Sequence, residues 1–446
     1  MTLDDLISRV YEAPRGSRVA AVLDLGGTVC SGAVTDAGLP ELQGKTAEEL
    51  RKLGQREFDS EIAGRLHSEV WELVEAHHLM GHTVVLACAA PRHLAEPAAT
   101  VLDAAHLLCS EPELADGVAT GQLAGPPLTG PARAAALGDL AARKDIDLTW
   151  SFAYGSGEQA LDVLGCVGNP VAVQPGPDLR AHATDRGWPV LACVERGKPP
   201  SLIERVRTGG FYGGFAAGVG LGIGAGVFSL SKRAMLDAAF SRGADLALAA
   251  AGVKVRVVEG AEHLASSQPG IFVFNHQSMI DPVIVMTLVR QKITGVAKKE
   301  ARDMPGFGKL FQFAGVAFVD RGNTAQAKQV LAPAVDKVRE EGLSLLLAPE
   351  GTRSATPRLG AFKKGAFHIA MQTGAPMVPI VIRNAGEVWW RGSRFIRSGT
   401  VEVVVLPPLD STTWQADELG AHMADVREMF VDTLARWPGR PLPPAL

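Results

Sequence analysis

The sequence predicts an α/β protein with two domains, and two observations lead to that prediction. Short apolar runs alternate with helical patterns in the first part of the chain, and the alternation resumes at Val253. Strand–helix alternation is typical of parallel sheets with helices on both faces. The chain has 446 residues, and at about 150 residues per domain this length indicates two or three domains.

The strand and helix candidates fall into two groups. In the first half the strand candidates are Val19–Leu25, Thr83–Ala87, Phe152–Gly155, Pro170–Val173 and Pro189–Ala192, and the helices are Thr46–Met80 and Arg133–Lys144. In the second half the strand candidates are Val253–Val258, Ile271–Asn275, Gly315–Val319, Ser344–Ala348, Val378–Ile382 and Val401–Leu406. The helices of that half are Pro282–Arg290, Thr324–Glu340, Gly365–Thr373 and Asp417–Trp437, and a further helix is expected over Arg233–Ala251. A charged segment, Val194 to Arg207, is predicted to be a linker.

The composition excludes two classes of protein. Apolar residues make up 47% of the chain, whereas a disordered protein is poor in them and highly charged. A net charge of −4 excludes a general nucleic-acid-binding protein, so no nucleic-acid partner is expected. The five cysteines are odd in number and form no C-x-x-C pair, which favours a reducing compartment. No apolar signal segment follows Met1, so we expect synthesis in the cytoplasm.

A glycine-rich segment, Thr208 to Ser231, lies between the two halves. It has 24 residues without a formal charge, and its glycines include a row at every fourth position: Gly210, Gly214, Gly218, Gly222 and Gly226. Small residues at this spacing allow close helix packing. Three interpretations stay open: a helix hairpin inserted in or lying on a membrane, a glycine-packed helix buried in protein, and a true membrane span. We expect the hairpin.

The segment Phe272-Val-Phe-Asn275-His276-Gln-Ser-Met-Ile-Asp281-Pro282 joins a predicted strand to a predicted helix. Asp281 followed by proline predicts a helix N-cap, which leaves His276 on the preceding loop. Across such a turn the Asp281 carboxylate can reach the imidazole and set its tautomer. A histidine–carboxylate pair of this kind can deprotonate an attacking hydroxyl. The spacing alone is too common to support that function.

Three further motifs follow, each at the end of a predicted strand, where α/β proteins gather ligand-binding groups. They are Gly315-Val-Ala-Phe318-Val-Asp-Arg321, Ala348-Pro-Glu350-Gly351-Thr352-Arg353-Ser354 and Ala375-Pro-Met-Val378-Pro379-Ile380. Arg321 and Arg353 are candidates to hold a phosphate, because guanidinium groups bind it in bidentate fashion. Lys363 and Lys364 add positive charge.

These four blocks, in this order, resemble the glycerolipid acyltransferases of the PlsC family, which include the 1-acylglycerol-3-phosphate acyltransferases. The resemblance covers about Gly252–Pro408 and implies an α/β acyltransferase fold. It implies that His276 is the general base and that Asp281 orients it. It also implies substrate contacts at Asn275, Phe318, Arg321, Glu350, Gly351, Thr352 and Arg353, with auxiliary phosphate or donor contacts at Lys298, Lys299 and Lys364.

The reaction that the resemblance implies is acyl transfer from acyl-CoA, or from acyl carrier protein, to the free hydroxyl of lysophosphatidate. The product would be phosphatidic acid. No metal or other cofactor is expected, because a thioester is already activated. Alternative functions are acylation of glycerol 3-phosphate or another lysophospholipid, a phosphatase whose second half anchors it to a membrane, and a scaffold without catalysis.

In the first half, Val22-Leu-Asp24-Leu-Gly26-Gly27-Thr28 resembles the first motif of haloacid-dehalogenase-type phosphatases, most closely the phosphoserine-phosphatase relatives. The resemblance covers about Val19–Val190 and implies a Rossmann-like domain. The chain departs from the catalytic pattern at five positions: Gly26 for the second aspartate, Cys88 for the motif II hydroxyl, Arg133 for the lysine, and Ser156 and Ala160 for the acidic pair. Glu158 and Asp162 are nearby substitutes. We therefore predict a vestigial site at Asp24 and Arg133, without Mg²⁺; residual phosphatase activity and phosphate sensing are the alternatives.

These predictions combine into one arrangement. Residues 1–195 form the haloacid-dehalogenase-like domain, 196–251 form the linker and glycine-rich hairpin, and 252–446 form the acyltransferase domain. A basic stretch, Arg290–Lys309, either faces anionic lipid headgroups or is an ordinary solvated surface. We expect the protein to bind a membrane lipid surface on its cytoplasmic face.

Overall fold

The chain folds into two units, each built around its own sheet. They are Met1–Lys198 together with Gly439–Leu446, and Pro199–Pro438. The computed structural model describes residues 1–34, 39–194, 196, 199–227, 231–298, 302, 312, 316–319 and 324–444. Most of the segment predicted to join the domains, 196–251, falls within the second unit, and the last eight residues fall within the first.

The first unit contains the parallel sheet that the sequence predicts. Its strands are β1 (Ala20–Leu23), β2 (Thr83–Pro91), β3 (His106–Ser110), β4 (Pro112–Ala115), β5 (Val118–Leu123), β6 (Phe152–Gly155), β7 (Asn169–Val173) and β8 (Val190–Leu191). Six of them form the order β3-β2-β1-β6-β7-β8, in which all pairs are parallel. The strands β4 and β5 form a separate antiparallel pair.

The helices of the first unit include several that were not predicted, and one predicted helix is not continuous. They are α1 (Leu3–Glu12), α2 (Ala47–Glu57), α3 (Ser68–Leu79), α4 (Arg92–Val101), α5 (Gly130–Lys144), α6 (Leu161–Leu164) and α7 (Pro177–Asp185). The predicted helix Thr46–Met80 is broken between α2 and α3. The break occurs because Arg65 accepts a backbone hydrogen bond from Ser31 and His67 donates one to Val29, so the chain pairs with a loop there.

The second unit has a seven-stranded sheet in the order β12-β11-β13-β10-β14-β15-β9. Its strands are β9 (Val253–Glu259), β10 (Ile271–Phe274), β11 (Ile293–Lys298), β12 (Ala317–Val319), β13 (Ser344–Leu347), β14 (Met377–Ile382) and β15 (Gly399–Val405). Only the pair β14–β15 is antiparallel. The predicted α/β fold of both halves is therefore confirmed, although β11 was not predicted.

The helices of the second unit include one that extends into the predicted linker. They are α8 (Leu202–Val227), α9 (Lys232–Ala251), α10 (His263–Ser266), α11 (Asp281–Val289), and the helices Thr324–Arg339, Gly365–Thr373, Ala385–Val388 and Leu419–Ala435. Because α8 begins at Leu202, the last part of Val194–Arg207 is helical and is not a linker.

The core of the second unit lies on both faces of β10. Ile271 and Val273 belong to one buried cluster, and Phe272 and Phe274 belong to the other. Alternate residues of a strand point to opposite faces, and a continuous apolar run is typical of a strand covered on both sides. The buried strand β10 therefore provides a rigid base for the residues that follow Phe274.

The glycine row of α8 packs against α9. A Cβ atom added at Gly214 would lie 2.6 Å from the carbonyl oxygen of Leu246, and one added at Gly218 would lie 2.3 Å from that of Arg242. Only glycine allows two helix backbones to approach so closely. The four-residue spacing is thus used for packing within a helix hairpin. Within the described residues, no helix has both the length and the apolar composition that a membrane crossing requires.

This packing predicts opposite effects for the same substitution at two glycines of α8. Gly218→Ala places a Cβ against the α9 backbone and should lower the free energy of unfolding by about 1–3 kcal/mol. Gly220→Ala meets no atom within 4 Å and should be neutral or stabilise the helix by up to about 1 kcal/mol. Chemical denaturation followed by circular dichroism measures both. Equal stability of the two variants would contradict the packing.

Candidate active site

The histidine–aspartate pair lies where β10 meets α11. The strand ends at Phe274, and His276 lies on the loop that follows. Nδ1 of His276 lies 2.9 Å from Oδ2 of Asp281. The Asp281 side chain is fully buried, whereas that of His276 is 19% exposed. The two side chains thus lie within hydrogen-bonding distance, with only the imidazole accessible.

Three hydrogen bonds hold the Asp281 carboxylate. Besides His276, the backbone N–H groups of Gln277 and Ser278 donate to Oδ2 at 2.8 and 2.7 Å. A carboxylate is an acceptor, so Nδ1 of His276 is the donor and Nε2 of the neutral ring carries the free lone pair. The predicted N-cap at Asp281 is wrong by one residue, because α11 begins at Asp281 and Ile280 is the N-cap. The carboxylate binds the preceding loop instead of capping the helix.

The side chain of Asn275 forms hydrogen bonds with the backbone of Ile382. Its Oδ1 accepts a hydrogen bond from the N–H of Ile382, and its Nδ2 donates to the carbonyl of Ile382, both at 2.7 Å. The side chain is buried, and it continues the pairing between β10 and β14 by one residue. The structure therefore gives Asn275 a positioning role, and the substrate contact that the resemblance implied stays a prediction.

Glu350 holds the backbone on which His276 lies. Its Oε1 accepts from the N–H of His276 at 2.6 Å, and its Oε2 accepts from the N–H of Gly360 at 2.8 Å. The N–H of Ser354 donates to the carbonyl of His276 at 2.7 Å, so residues 350–354 bind both backbone groups of the histidine. Burial raises the pKa of Glu350, although these N–H bonds oppose the rise. Sequence reasoning missed this positioning role.

The remaining residues of the Glu350 motif present a basic group near the pair. Gly351 has a φ of +73°, a conformation that favours glycine, and Thr352 is exposed. Arg353 is partly buried, and burial lowers its pKa. The positive charge of Arg391 lowers it further, while the Asp281 carboxylate acts in the opposite direction. Arg353 is therefore close enough to both groups to interact with their charges.

The other predicted site residues are only partly covered. Arg321 and Lys299 lie outside the described residues, as does half of the basic stretch 290–309. Phe318 lies on β12, the edge strand three positions from β10, and the backbone of Lys298 ends β11. Lys364 is exposed at the start of the helix Gly365–Thr373. The described geometry does not bring Phe318 or Lys364 into contact with His276.

In the first unit, an ion pair occupies the predicted vestigial site. Nη1 of Arg133 donates to Oδ2 of Asp24 at 2.7 Å and to the carbonyl of Ala87 at 3.3 Å. Nη2 donates to the carbonyl of Gln159 at 2.7 Å, and the Arg133 side chain is only 2% exposed. Burial raises the pKa of Asp24, and Arg133 opposes that rise. A buried guanidinium thus neutralises the one remaining carboxylate.

These residues do not fit a Mg²⁺ ion. Mg²⁺ is bound through oxygen ligands that usually include carboxylates, but Asp24 is bound by Arg133. Oγ of Ser156 donates to the Gly26 carbonyl at 3.2 Å, and Glu158 and Asp162 are exposed. No cluster of three metal-ligating side chains occurs in the described part of the chain.

Comparison with known proteins agrees with this division of the chain. Residues 255–383 match the family model described as Acyltransferase, and residues 21–163 match the model described as haloacid dehalogenase-like hydrolase. The chain carries an acyltransferase domain after a haloacid-dehalogenase-like domain. The two resemblances seen in the sequence are thereby confirmed.

Several relatives share the acyltransferase region. A 1-acyl-sn-glycerol-3-phosphate acyltransferase of Limnanthes alba is 36% identical over 177 residues, which are 40% of this chain and 62% of that protein. The alpha form of Homo sapiens is 34% identical over 180 residues, which are 40% and 63%. The chain thus spans about three fifths of the length of these relatives. A solved 1-acyl-sn-glycerophosphate acyltransferase of Thermotoga maritima is 22% identical with a TM-score of 0.46, covering 54% of this chain and 98% of that one.

Because Glu350 binds the N–H groups of His276 and Gly360, its substitution should lower the stability of the protein even when no substrate is present. Glu350→Leu removes the acceptor of two partly buried N–H groups and should lower the free energy of unfolding by about 2 kcal/mol. Glu350→Gln keeps one acceptor oxygen and should lie between Glu350→Leu and wild type. Denaturant titration measures the effect, with Glu341→Gln at an exposed position as control, expected within about 0.5 kcal/mol of wild type. A Glu350→Leu protein as stable as wild type would contradict the positioning role of Glu350.

Proposed function

We propose that this protein transfers a fatty acyl chain from a thioester to the free hydroxyl of 1-acylglycerol 3-phosphate, which gives phosphatidic acid and a free thiol. The observation that carries the proposal is the His276–Asp281 pair. Nδ1 of His276 lies 2.9 Å from Oδ2 of Asp281, and the imidazole is accessible. The proposal also draws on relatives named 1-acyl-sn-glycerol-3-phosphate acyltransferase, at about 35% identity over this domain.

The residues of the pair supply general-base chemistry. Nε2 of His276 accepts the proton of the acceptor hydroxyl as its oxygen attacks the thioester carbonyl. Asp281 stabilises the imidazolium that forms. When the carbon–sulfur bond breaks, the thiolate leaves and takes the proton from Nε2, so the histidine returns to its neutral form. No step of this sequence calls for a metal ion, because the thioester is already activated.

The acceptor phosphate is proposed to bind at Arg353, together with Arg321 as the resemblance implies. Arg353 lies on the loop whose Ser354 binds the His276 backbone. A phosphate at Arg353 would therefore keep the glycerol hydroxyl near the imidazole. Acyl-CoA and acyl carrier protein present the same thioester, so either serves as donor in this proposal. Glycerol 3-phosphate is the alternative acceptor.

The haloacid-dehalogenase-like domain is proposed to be catalytically inactive. Its phosphatase relatives need a nucleophilic aspartate, a second acidic group and Mg²⁺. Asp24 is paired with buried Arg133, and glycine stands at position 26. We therefore assign acyl transfer, and not phosphate release, to this protein.

We further propose that the protein binds a membrane lipid surface on the cytoplasmic side through α8. Leu202, Ile203 and Val206 are exposed by 77%, 60% and 66% near the start of this helix, and Leu221 is exposed by 62% near its end. The glycine row faces α9, which leaves these apolar side chains outward. Both the acceptor and the product are membrane lipids, so a lipid contact would bring the site to its substrate.

Substitution of the proposed base should remove the activity. With acyl-CoA and lysophosphatidate, His276→Ala should lower the rate of CoA release by at least about 100-fold. His182→Ala, at an exposed position of the first unit, is the control and should keep wild-type activity. A His276→Ala enzyme as active as wild type would refute the base. Turnover with glycerol 3-phosphate alone would refute the proposed acceptor.

Liposome flotation tests the membrane contact. Wild type should float with vesicles that contain anionic phospholipid, and Leu202→Ser combined with Val206→Ser should weaken binding by about tenfold, because two exposed apolar side chains lose their burial in lipid. Leu114→Ser, at an exposed leucine of the first unit, should bind like wild type. A wild-type protein that stays in the soluble fraction with these vesicles would refute the contact.

A further inference from the structure

Arg391 lies outside every motif that the sequence singles out, yet it contacts the Glu350 motif. Its Nη1 donates a hydrogen bond to the carbonyl oxygen of Arg353 at 3.1 Å. Arg391 belongs to a segment that we name the Trp389 loop, residues 389–397. The contact joins the guanidinium of Arg391 to the backbone of the arginine that is proposed to bind the acceptor phosphate.

The first end of the Trp389 loop is hydrogen-bonded to the loop between β10 and α11, which carries His276. Oγ of Ser278 donates to the carbonyl of Trp389 at 2.6 Å, and the N–H of Ser278 binds Asp281. The indole N–H of Trp389 donates to the carbonyl of Ser393 at 3.0 Å, which closes the loop on itself. Since the Trp389 side chain is buried, this end is held in register with the His276–Asp281 pair.

The other end of the Trp389 loop is fixed to α8. The N–H of Ile396 donates to Oγ1 of Thr208 at 2.8 Å. Arg397 pairs with Glu204 at 3.2 Å, and its guanidinium lies 4.7 Å from the ring centre of Trp390. Arg391 therefore extends from a segment anchored on both sides, which places its charge near Arg353 before any ligand binds.

Among the described residues, no ion pair with a carboxylate neutralises the charge of either Arg353 or Arg391. The nearby carboxylate of Asp281 accepts hydrogen bonds from His276, Gln277 and Ser278 through Oδ2. The positive charge of Arg391 lowers the pKa of Arg353, so the two charges repel each other, and an anion bound by both guanidinium groups would offset that repulsion.

The charge of the anion determines how well it complements the two positive charges of Arg353 and Arg391. A phosphate monoester has its second pKa at about 6, so it is mostly a dianion at neutral pH. A phosphate diester carries one negative charge at any pH near neutral. Two guanidinium groups with several N–H donors are suited to a dianion with three terminal oxygens.

We infer that Arg391 and Arg353 together form a subsite that selects a phosphate monoester over a phosphate diester. The inference rests on the proposed function and deepens it, because it assigns the preference for lysophosphatidate over lysophospholipids with a diester headgroup to a residue outside the motifs. Arg391 contacts the ligand phosphate and determines specificity, while His276 and Asp281 carry out the proton transfer.

Calorimetric binding to the full-length protein tests the subsite without requiring turnover. The probes are decyl phosphate and methyl decyl phosphate, which share a chain and differ by one methyl group and one charge. Wild type should bind the monoester at least about tenfold more tightly than the diester at neutral pH. Arg391→Gln should lose that preference by weakening the monoester alone, and Arg391→Lys should recover part of it because the charge returns.

The matched control is Arg394→Gln, which removes an exposed arginine of the same loop and should keep the preference. The preference of wild type should shrink below about pH 6, where the monoester loses its second charge. Equal monoester affinity in Arg391→Gln and wild type, or no binding of either probe to wild type, would overturn the inference. A protein that shows the predicted preference but releases no CoA with lysophosphatidate would refute the proposed function and keep the subsite.

Discussion

The hydrogen bond between Nδ1 of His276 and Oδ2 of Asp281 is the interaction on which the second unit's site depends. Its length of 2.9 Å results from a buried strand, β10, that ends next to the N-terminus of α11. Glu350 and Ser354 bind the backbone of the same histidine. The preceding residue, Asn275, is hydrogen-bonded to Ile382 at the end of β14. The histidine is thus held by Asp281 at the start of α11 and by the loop that follows β13, so its free nitrogen needs no ligand to be placed.

The two units treat a similar position in opposite ways. In each, polar residues follow a buried parallel strand, where α/β proteins gather functional groups. In the first unit, Asp24 is bound by Arg133, which is buried and donates to Asp24 and to nearby carbonyls through both Nη atoms. In the second unit, the carboxylate of Asp281 is buried while the histidine that it orients is accessible. One site is neutralised by the protein itself, and the other leaves a base available to a substrate.

Much of this arrangement could be predicted from the sequence, because the relevant signals are local. Apolar runs mark the positions of most strands along the chain. His276 and Asp281 are five residues apart across one turn. What could not be predicted joins distant parts of the chain: Asn275 with Ile382, 107 positions apart, Glu350 with His276, 74 apart, and Arg391 with Arg353, 38 apart. The strand β3 (His106–Ser110) was missed because only two leucines mark it as apolar. The break between α2 and α3 depends on backbone bonds to a loop that no local pattern reveals.

The tautomer of His276 decides whether this residue can act as the base, since accepting the proton of the hydroxyl requires Nε2 to be the free nitrogen. Nitrogen NMR of protein labelled at histidine reports which ring nitrogen carries the proton, and the spectrum of His276→Gln identifies the signal. We expect a protonated Nδ1 and an unprotonated Nε2 in the neutral ring, with that preference reduced in Asp281→Asn. A proton on Nε2 of the neutral wild-type ring would show that Asp281 does not set the tautomer and that His276 is not the base.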